Sequence, residues 1–295
     1  MKSLAGVFAP IGTPFREDEE IDFDALEFNM GAYAASGIHG YLALGSNGEN
    51  KSLTEAEKEA VLRTVVAGRA AGQPVMAGAT YEAQRDTERF FALAAEIGAD
   101  YGLLLPPSYF RRQMTDDVLL RYFTTVADRS PIPIVVYNAP GFCGITLSLS
   151  LVTRLAEHPG IVGMKDSASS GIESFLVLES AAFHVLAGSA NFLFPAMMAG
   201  SIGGSLSLAN AFPHVALNLY QFGQERDEVQ GIPYQEWCRR LNQSVSGAHG
   251  VPGVKAAMTL AGLRGGIPRR PLLPLNPAEV ASLRETLVRE GVLDG

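Results

Sequence analysis

The sequence predicts an α/β fold, a (β/α)8 TIM barrel with a C-terminal helical extension, on three observations. Short apolar runs alternate with turn residues and helical periods along most of the chain, which is typical of βαβ units. The runs are continuous rather than alternating, as parallel strands covered by helices on both faces should be. About eight such units fit into residues 1–211, and this size favours a closed barrel over a doubly wound sheet.

Eight apolar runs are the candidate strands. They are Gly6–Ile11, Gly40–Leu44, Pro74–Ala79, Tyr101–Leu105, Ile132–Tyr137, Ile161–Met164, His184–Ala187 and Gly203–Leu208. Four of the intervening helices have clear boundary signals. One starts at the capping box Thr54–Glu57 and ends near Gly72, one runs from about Thr87 to Ile97, one follows Thr115, and one runs from near Ser148 to before Pro159. Strand signals stop at Phe212, so we interpret residues 212–295 as helices packed on the barrel within one structural unit.

Composition excludes several classes of function. The chain has a net charge of −8. A nucleic-acid binder needs a cationic surface, so this class of function is disfavoured. No apolar segment is long enough to cross a bilayer, and the short apolar run after Lys2 is interrupted by Pro10, which makes it a poor secretory signal. Cys143 and Cys238 lie far apart, which favours reduced thiols and a cytoplasmic location. The five histidines form no HxxxH pair, so we expect no metal site.

Lys165 directly continues the apolar run Ile161–Met164. In a barrel of this type catalytic groups gather at the carboxyl ends of the strands, and Lys165 is predicted to lie there. The other four lysines have polar, turn-like or helical surroundings. From the residues alone, a solvated lysine at the end of a strand remains an alternative.

A lysine at this position could act as a nucleophile. The amine must be neutral to attack, whereas a lysine in water has a pKa near 10.4 and is protonated; burial favours the neutral form. A neutral amine can condense with a ketone, and the resulting iminium accepts the electron pair of a neighbouring carbon–carbon bond. Tyr137, at the end of the adjacent predicted strand, is a candidate proton donor and acceptor.

Six motifs in order along nearly the whole chain carry a family resemblance. They are TPF at Thr13–Phe15, GSNGE at Gly45–Glu49, YNAPGFCG at Tyr137–Gly144, GMKDS at Gly163–Ser167, LAGSA at Leu186–Ala190 and GGSLSLAN at Gly203–Asn210. Through them the sequence resembles the pyruvate-dependent class I lyases of the dihydrodipicolinate synthase / N-acetylneuraminate lyase superfamily. Each motif alone is a weak signal, but their shared order is specific.

The resemblance implies roles for the catalytic residues. Lys165 would form the Schiff base with a 2-oxo acid, so that no cofactor is required. Tyr137 would relay protons with Ser46 and with Tyr109, which relatives insert across a subunit interface. The expected assembly is therefore a homotetramer, a dimer of dimers. From the residues alone, Ser46 could also be an ordinary turn residue, and Tyr109 could be a packing aromatic in a loop.

The resemblance also implies substrate-binding residues. The backbone N–H groups of Ser46 and Asn47 would hold the pyruvate carboxylate. Gly188 and Ser205 match backbone contacts near the substrate, and Ser167 could contact its distal part. Glu49 is expected to be structural rather than catalytic.

One position departs from the pattern of dihydrodipicolinate producers. They carry an arginine two residues after the proline of the strand-five motif, where it clamps a substrate carboxylate. Here the residue is Phe142, so the 4-hydroxy-tetrahydrodipicolinate synthase role is disfavoured and Phe142 is expected to line the distal pocket. Arg111 and Arg112 are candidates for a replacement cation, although loop arginines are usually solvated.

The resemblance is strongest to 4-hydroxy-2-oxoglutarate aldolases. It implies retro-aldol cleavage of a 4-hydroxy-2-oxo acid, such as 4-hydroxy-2-oxoglutarate, to pyruvate and an aldehyde. A 2-keto-3-deoxy sugar-acid aldolase or dehydratase is the nearest alternative. Non-enzyme alternatives are a regulatory barrel or a ligand-binding barrel that uses Gly200–Gly204 as a phosphate cradle.

Overall fold

Eight parallel strands close into a barrel in chain order in this computed structural model, which describes residues 1–168 and 171–294. The strands are β1 (Gly6–Pro10), β2 (Gly40–Ala43), β3 (Val75–Ala79), β4 (Tyr101–Leu104), β5 (Ile134–Asn138), β6 (Ile161–Asp166), β7 (His184–Ala187) and β8 (Gly203–Ser205). β1 closes the barrel against β8, with Gly6 opposite Gly203. The predicted (β/α)8 barrel is confirmed.

Twelve α-helices are present in the described part of the chain. They are α1 (Phe23–Ala35), α2 (Glu55–Gly68), α3 (Gln84–Ile97), α4 (Asp116–Arg129), α5 (Pro140–Cys143), α6 (Leu149–Ala156), α7 (Ile172–Leu176), α8 (Leu193–Met198), α9 (Pro213–Glu225), α10 (Glu228–Asn242), α11 (Ala248–Leu260) and α12 (Pro277–Arg289). Side-chain oxygens of Thr54, Thr115 and Ser148 cap α2, α4 and α6 by accepting backbone N–H bonds, as the sequence predicted.

Several predicted boundaries shift by a few residues, among them those of β6, β8 and α3. β6 continues two residues past Met164, so Lys165 lies within the strand rather than after it. β8 is shorter than predicted, because a 3-10 turn at Ser207–Asn210 follows Ser205. α3 begins at Gln84 rather than near Thr87. No side chain caps its first turn, so the sequence contains no capping residue that would mark this start.

Of the C-terminal helices, α9 contacts β1, α10 contacts α8 and α11 contacts the 3-10 turn after β2, whereas α12 packs on α11. A π-helical turn at Gln243–Gly247 joins α10 to α11. Beyond α11, Ile267 pairs with Phe15 in an antiparallel bridge, so the tail contacts the loop that follows β1. No helix within the described ranges is both long and apolar enough to cross a membrane.

Candidate active site

Lys165 and Tyr137 lie side by side at the carboxyl ends of β6 and β5. The two residues are opposite each other in the register of the parallel pair. Each side chain is only 5% exposed, and Nζ of Lys165 lies 4.5 Å from the centre of the Tyr137 ring. Nζ has no ion pair or hydrogen bond with residues 1–168 or 171–294. The amine therefore lies against an aromatic face without a counter-charge from the described residues.

Ser167 and Gly188 lie next to this pair. Ser167 Oγ is 3.3 Å from the Tyr137 hydroxyl and 3.4 Å from the Gly188 carbonyl oxygen. A Cβ on residue 188 would lie 1.9 Å from Ser167 Oγ and 2.5 Å from the Asp166 carbonyl oxygen. Only glycine fits at position 188 without displacing backbone, so the hydroxyl of Ser167 and the phenol of Tyr137 remain in contact.

The next residue along each of these two strands, Asn138 after Tyr137 and Asp166 after Lys165, forms a second pair. Asn138 and Asp166 are opposite in register and buried, and Asn138 Nδ2 donates to Asp166 Oδ1 at 2.7 Å. Asn138 Oδ1 accepts from the Leu147 N–H at 3.0 Å. Burial raises the pKa of Asp166, against hydrogen bonds from the Ala168 N–H and from Asn138. This pair fixes β5 to β6 directly beside Tyr137 and Lys165.

Two consecutive 3-10 turns follow β2, and the GSNGE segment contains the first of them. The first is Ser46–Gly48 and the second Asn50–Ser52, joined by Glu49 in a left-handed conformation at φ 54°. Ser46 and Asn47 are half-buried, and Asn47 Nδ2 donates to Ser207 Oγ at 2.7 Å. The Tyr137 hydroxyl contacts Ser167 rather than Ser46; no hydrogen bond joins Tyr137 to Ser46 among the described residues.

Ser205 at the end of β8 is buried, with 1% exposure, and is opposite Phe8 of β1. Its Oγ has no hydrogen-bond partner among the described residues. An unpaired buried hydroxyl is unfavourable unless something else binds it.

Tyr109 and Phe142 lie elsewhere, at the rim. Their side chains are 79% and 67% exposed, and both line an open cavity of about 860 Å³ together with Lys51, Glu82 and Arg111. The Glu82 carboxylate accepts the backbone N–H groups of Ser108 and Tyr109 at 3.0 and 2.9 Å. Within one chain, therefore, Tyr109 is not brought to Tyr137.

Lys255 lies in α11, in keeping with the helical surroundings expected for it, but its burial was not predicted. This lysine is 2% exposed, and Nζ forms an ion pair with Glu49 Oε1 at 2.6 Å; the approach angle is not that of a hydrogen bond. Nζ donates instead to the carbonyl oxygens of Thr13 and Ile267, each at 2.6 Å. Burial lowers the pKa of Lys255 to about 8, although the Glu49 carboxylate acts in the opposite direction. The apolar neighbours Val254, Ala256 and Ala257 are the signal that could have indicated burial.

Comparison with known proteins identifies close relatives over almost the whole chain. The profile of the Dihydrodipicolinate synthetase family matches residues 3–290. An L-threo-3-deoxy-hexylosonate aldolase of Hypocrea jecorina is 33% identical over 296 residues, which cover 95% of this chain and 94% of the relative. A probable mitochondrial 4-hydroxy-2-oxoglutarate aldolase of Emericella nidulans is 32% identical over 295 residues, with 96% and 93% covered.

A solved structure agrees in fold. YagE, a prophage protein of the dihydrodipicolinic acid synthase family from E. coli K12, in complex with pyruvate, superimposes with a TM-score of 0.91 at 26% identity. The match covers 98% of this chain and 99% of that one.

Proposed function

Because this chain belongs to the dihydrodipicolinate synthetase family, whose members are lyases and aldolases, we propose that it is a class I, Schiff-base-forming aldolase. The reaction is retro-aldol cleavage of a 4-hydroxy-2-oxo acid, such as 4-hydroxy-2-oxoglutarate, to pyruvate and an aldehyde. The observation that carries the proposal is Lys165, buried at the end of β6 against the Tyr137 ring with no charged partner among the described residues.

Lys165 is the nucleophile. Its neutral Nζ attacks the C2 carbonyl carbon of the substrate, and loss of one water molecule gives the iminium. Nζ lies against the Tyr137 ring with no ion-pair partner among the described residues, so no carboxylate holds it away from the substrate carbonyl. The protein then needs no cofactor, because the iminium nitrogen accepts the electron pair released at C3.

Tyr137 moves the protons. Its phenol, which lies beside Nζ, gives its proton to the hydroxide that leaves as the iminium forms. The resulting phenolate then accepts the proton of the C4 hydroxyl as the C3–C4 bond breaks and the aldehyde leaves. The bond electrons form an enamine on Lys165, which is protonated at C3. Water then hydrolyses the imine and releases pyruvate. Ser167, at 3.3 Å from the phenol, can hold that hydroxyl in place.

Ser46 and Asn47 bind the substrate carboxylate through their backbone N–H groups. The first N–H groups of a helical turn have no partner inside the turn and are available to an anion. Gly188 and Ser205 complete the wall of the pocket, and the unpaired Ser205 hydroxyl is a further donor for a bound substrate.

Phe142 argues against 4-hydroxy-tetrahydrodipicolinate synthase, because a phenyl ring cannot replace a guanidinium that clamps a carboxylate. Phe142 also favours a second candidate, a 2-keto-3-deoxy sugar-acid aldolase. The distal part of a sugar-acid substrate carries hydroxyl groups, which need no cation to bind them. The similarity to an L-threo-3-deoxy-hexylosonate aldolase supports this candidate.

The active form is proposed to be a homotetramer built from two dimers. Tyr109 and Phe142 line the cavity at the rim, and Phe110, whose ring packs against Tyr109, is also exposed. A second subunit would cover these aromatic groups and bring its own Tyr109 to the relay. Both cysteines are free and buried, which is compatible with a cytoplasmic protein.

Two measurements test the proposal. Borohydride reduction in the presence of pyruvate, followed by peptide mass mapping, should place a pyruvyl adduct on Lys165; no adduct, or one elsewhere, refutes the mechanism. A pyruvate-release assay with 4-hydroxy-2-oxoglutarate and a 2-keto-3-deoxy sugar acid then decides between the two substrate classes. Release from neither would refute the aldolase assignment.

A further inference from the structure

Glu49 is a non-glycine residue in a conformation that suits glycine. It adopts φ 54° and ψ 37° between the two 3-10 turns that follow β2. L-residues adopt this region rarely, and such residues persist where their surroundings fix them. Glycine would adopt this conformation without strain. Because the chain has a glutamate here instead, we infer that the carboxylate side chain itself has a role at this position.

Groups from the C-terminal segment hold that side chain. Lys255 of α11 lies 2.6 Å from Oε1 of Glu49, and both side chains are 2% exposed. The backbone N–H of Arg269 donates to Oε2 at 2.9 Å. Both carboxylate oxygens are thus engaged by residues that follow the barrel in sequence.

The same lysine also holds the opposite side of the turn. Lys255 Nζ donates to the Thr13 carbonyl oxygen at 2.6 Å, and Thr13 Oγ1 donates to the Gly48 carbonyl oxygen at 2.8 Å. Asn47, one residue before Gly48, is held in turn by Ser207. The backbone N–H groups of Ser46 and Asn47 are therefore placed by a chain of contacts that begins at Lys255.

We propose that Glu49 is a positioning residue for the 2-oxo acid carboxylate, and that the C-terminal segment sets its position through the buried Glu49–Lys255 pair. This inference rests on the proposed function, in which Ser46 and Asn47 bind that carboxylate. The C-terminal helices are then part of the substrate-binding apparatus, although they contribute no group that touches the substrate.

The main test uses the double variant Glu49→Gln/Lys255→Met. It removes both charges together, because removal of one would leave an unpaired buried charge. The measured quantities are the pyruvate concentration that half-saturates borohydride trapping at Lys165, and the maximal trapping rate. We expect the half-saturating concentration to rise about 10-fold or more while the maximal rate changes less than about 3-fold, because the carboxylate contact is a binding interaction.

Asn29→Ala is the matched control. Asn29 of α1 makes two hydrogen bonds of 2.8 Å with the Arg264 backbone. It therefore holds the same C-terminal segment against the barrel, but it makes no hydrogen bond with the described residues of the 3-10 turn at Ser46–Gly48. Its variant should lower the thermal midpoint and leave the half-saturating pyruvate concentration unchanged. An equal rise in this control would show general loosening and overturn the proposal.

Glu49→Gly covers the case in which the double variant does not fold, because glycine accommodates the positive φ and leaves Lys255 with two carbonyl acceptors. Half-saturation at the wild-type concentration in either folded variant overturns the positioning role alone. Absence of trapping in the wild-type protein is a different result, which refutes the proposed function and this inference with it.

Discussion

Lys165 and Lys255 are both buried, at 5% and 2% exposure, but their surroundings differ. Lys255 Nζ is engaged by the Glu49 carboxylate and by two backbone carbonyl oxygens. Lys165 Nζ faces the ring of Tyr137 and has no acceptor among the described residues. Because the proposed function makes Lys165 the nucleophile and not Lys255, burial alone would not make a lysine nucleophilic. Lys255, held by an ion pair and two carbonyl acceptors, joins two parts of the structure. Lys165, whose nitrogen has no such partner among the described residues, is the one proposed to attack the substrate.

The largest expected effect separates the two lysines by activity. Lys165→Met should lower kcat/KM at least about 10⁴-fold, because no imine can form. The same change should alter the free energy of unfolding by less than about 1 kcal/mol, since no ion pair is lost. Steady-state kinetics and urea denaturation measure the two quantities. A loss of stability of several kcal/mol would mean that Lys165 has a structural role and would remove the contrast.

Lys255→Met should show the opposite profile. Breaking a buried ion pair from one side typically costs about 3–5 kcal/mol, because the remaining charge is left without a partner. Urea denaturation of the single variant should show this loss, and the double variant Glu49→Gln/Lys255→Met should recover most of it. If the double variant is no more stable than the single one, the carbonyl contacts of Lys255 matter more than its charge pair.

Tyr137→Phe tests the surroundings of the nucleophile rather than the amine. Phenylalanine keeps the ring beside Nζ and removes the hydroxyl, so we expect kcat to fall about 10²–10³-fold as the proton shuttle is lost. Pyruvate should still be trapped on Lys165 by borohydride. Ser167→Ala is the comparison: it keeps the phenol and removes only the hydroxyl 3.3 Å from it, so it should cost less. A kcat within about 10-fold of wild type in Tyr137→Phe would exclude it as the proton carrier.

The two lysines also show what could be predicted from the sequence. The barrel and Lys165 follow from local patterns: each strand is a continuous apolar run, and Lys165 directly extends one of them. The end of β6 was placed two residues early because a charged residue ordinarily ends an apolar strand. Here the side chains of Asn138 and Asp166 hydrogen-bond across the two strands, and the pairing of β5 with β6 continues one residue beyond Lys165.

The structural role of Lys255 could not be predicted from local sequence patterns. Its partners Glu49 and Thr13 are far from it in sequence, and Thr13 is 242 positions away. No local period or spacing encodes a contact between a C-terminal helix and a turn after β2. Tyr109 is similarly beyond local prediction, because its position in the single chain is exposed and the proposed role depends on a second subunit.

The smallest expected effect is a pH dependence of stability that only Lys255 should produce. Burial lowers the pKa of Lys255 to about 8, against 10.5 for an unperturbed lysine. Between these pH values the unfolded chain holds the proton that the folded chain has released. The free energy of unfolding should therefore rise with pH in this window, by at most about 1.4 kcal/mol per pH unit.

The buried tyrosines titrate in the opposite sense, so the measurement must be a difference between two proteins. Burial raises the pKa of Tyr41 to about 12, and the unfolded chain then loses its proton first, which lowers stability as pH rises. This contribution is common to the wild type and to Glu49→Gln/Lys255→Met, which lacks the lysine titration. The wild-type free energy of unfolding minus that of the double variant, from urea denaturation at pH 8 to 10, should therefore increase. A flat or falling difference would mean that Lys255 keeps its proton throughout, because the carboxylate of Glu49 outweighs burial.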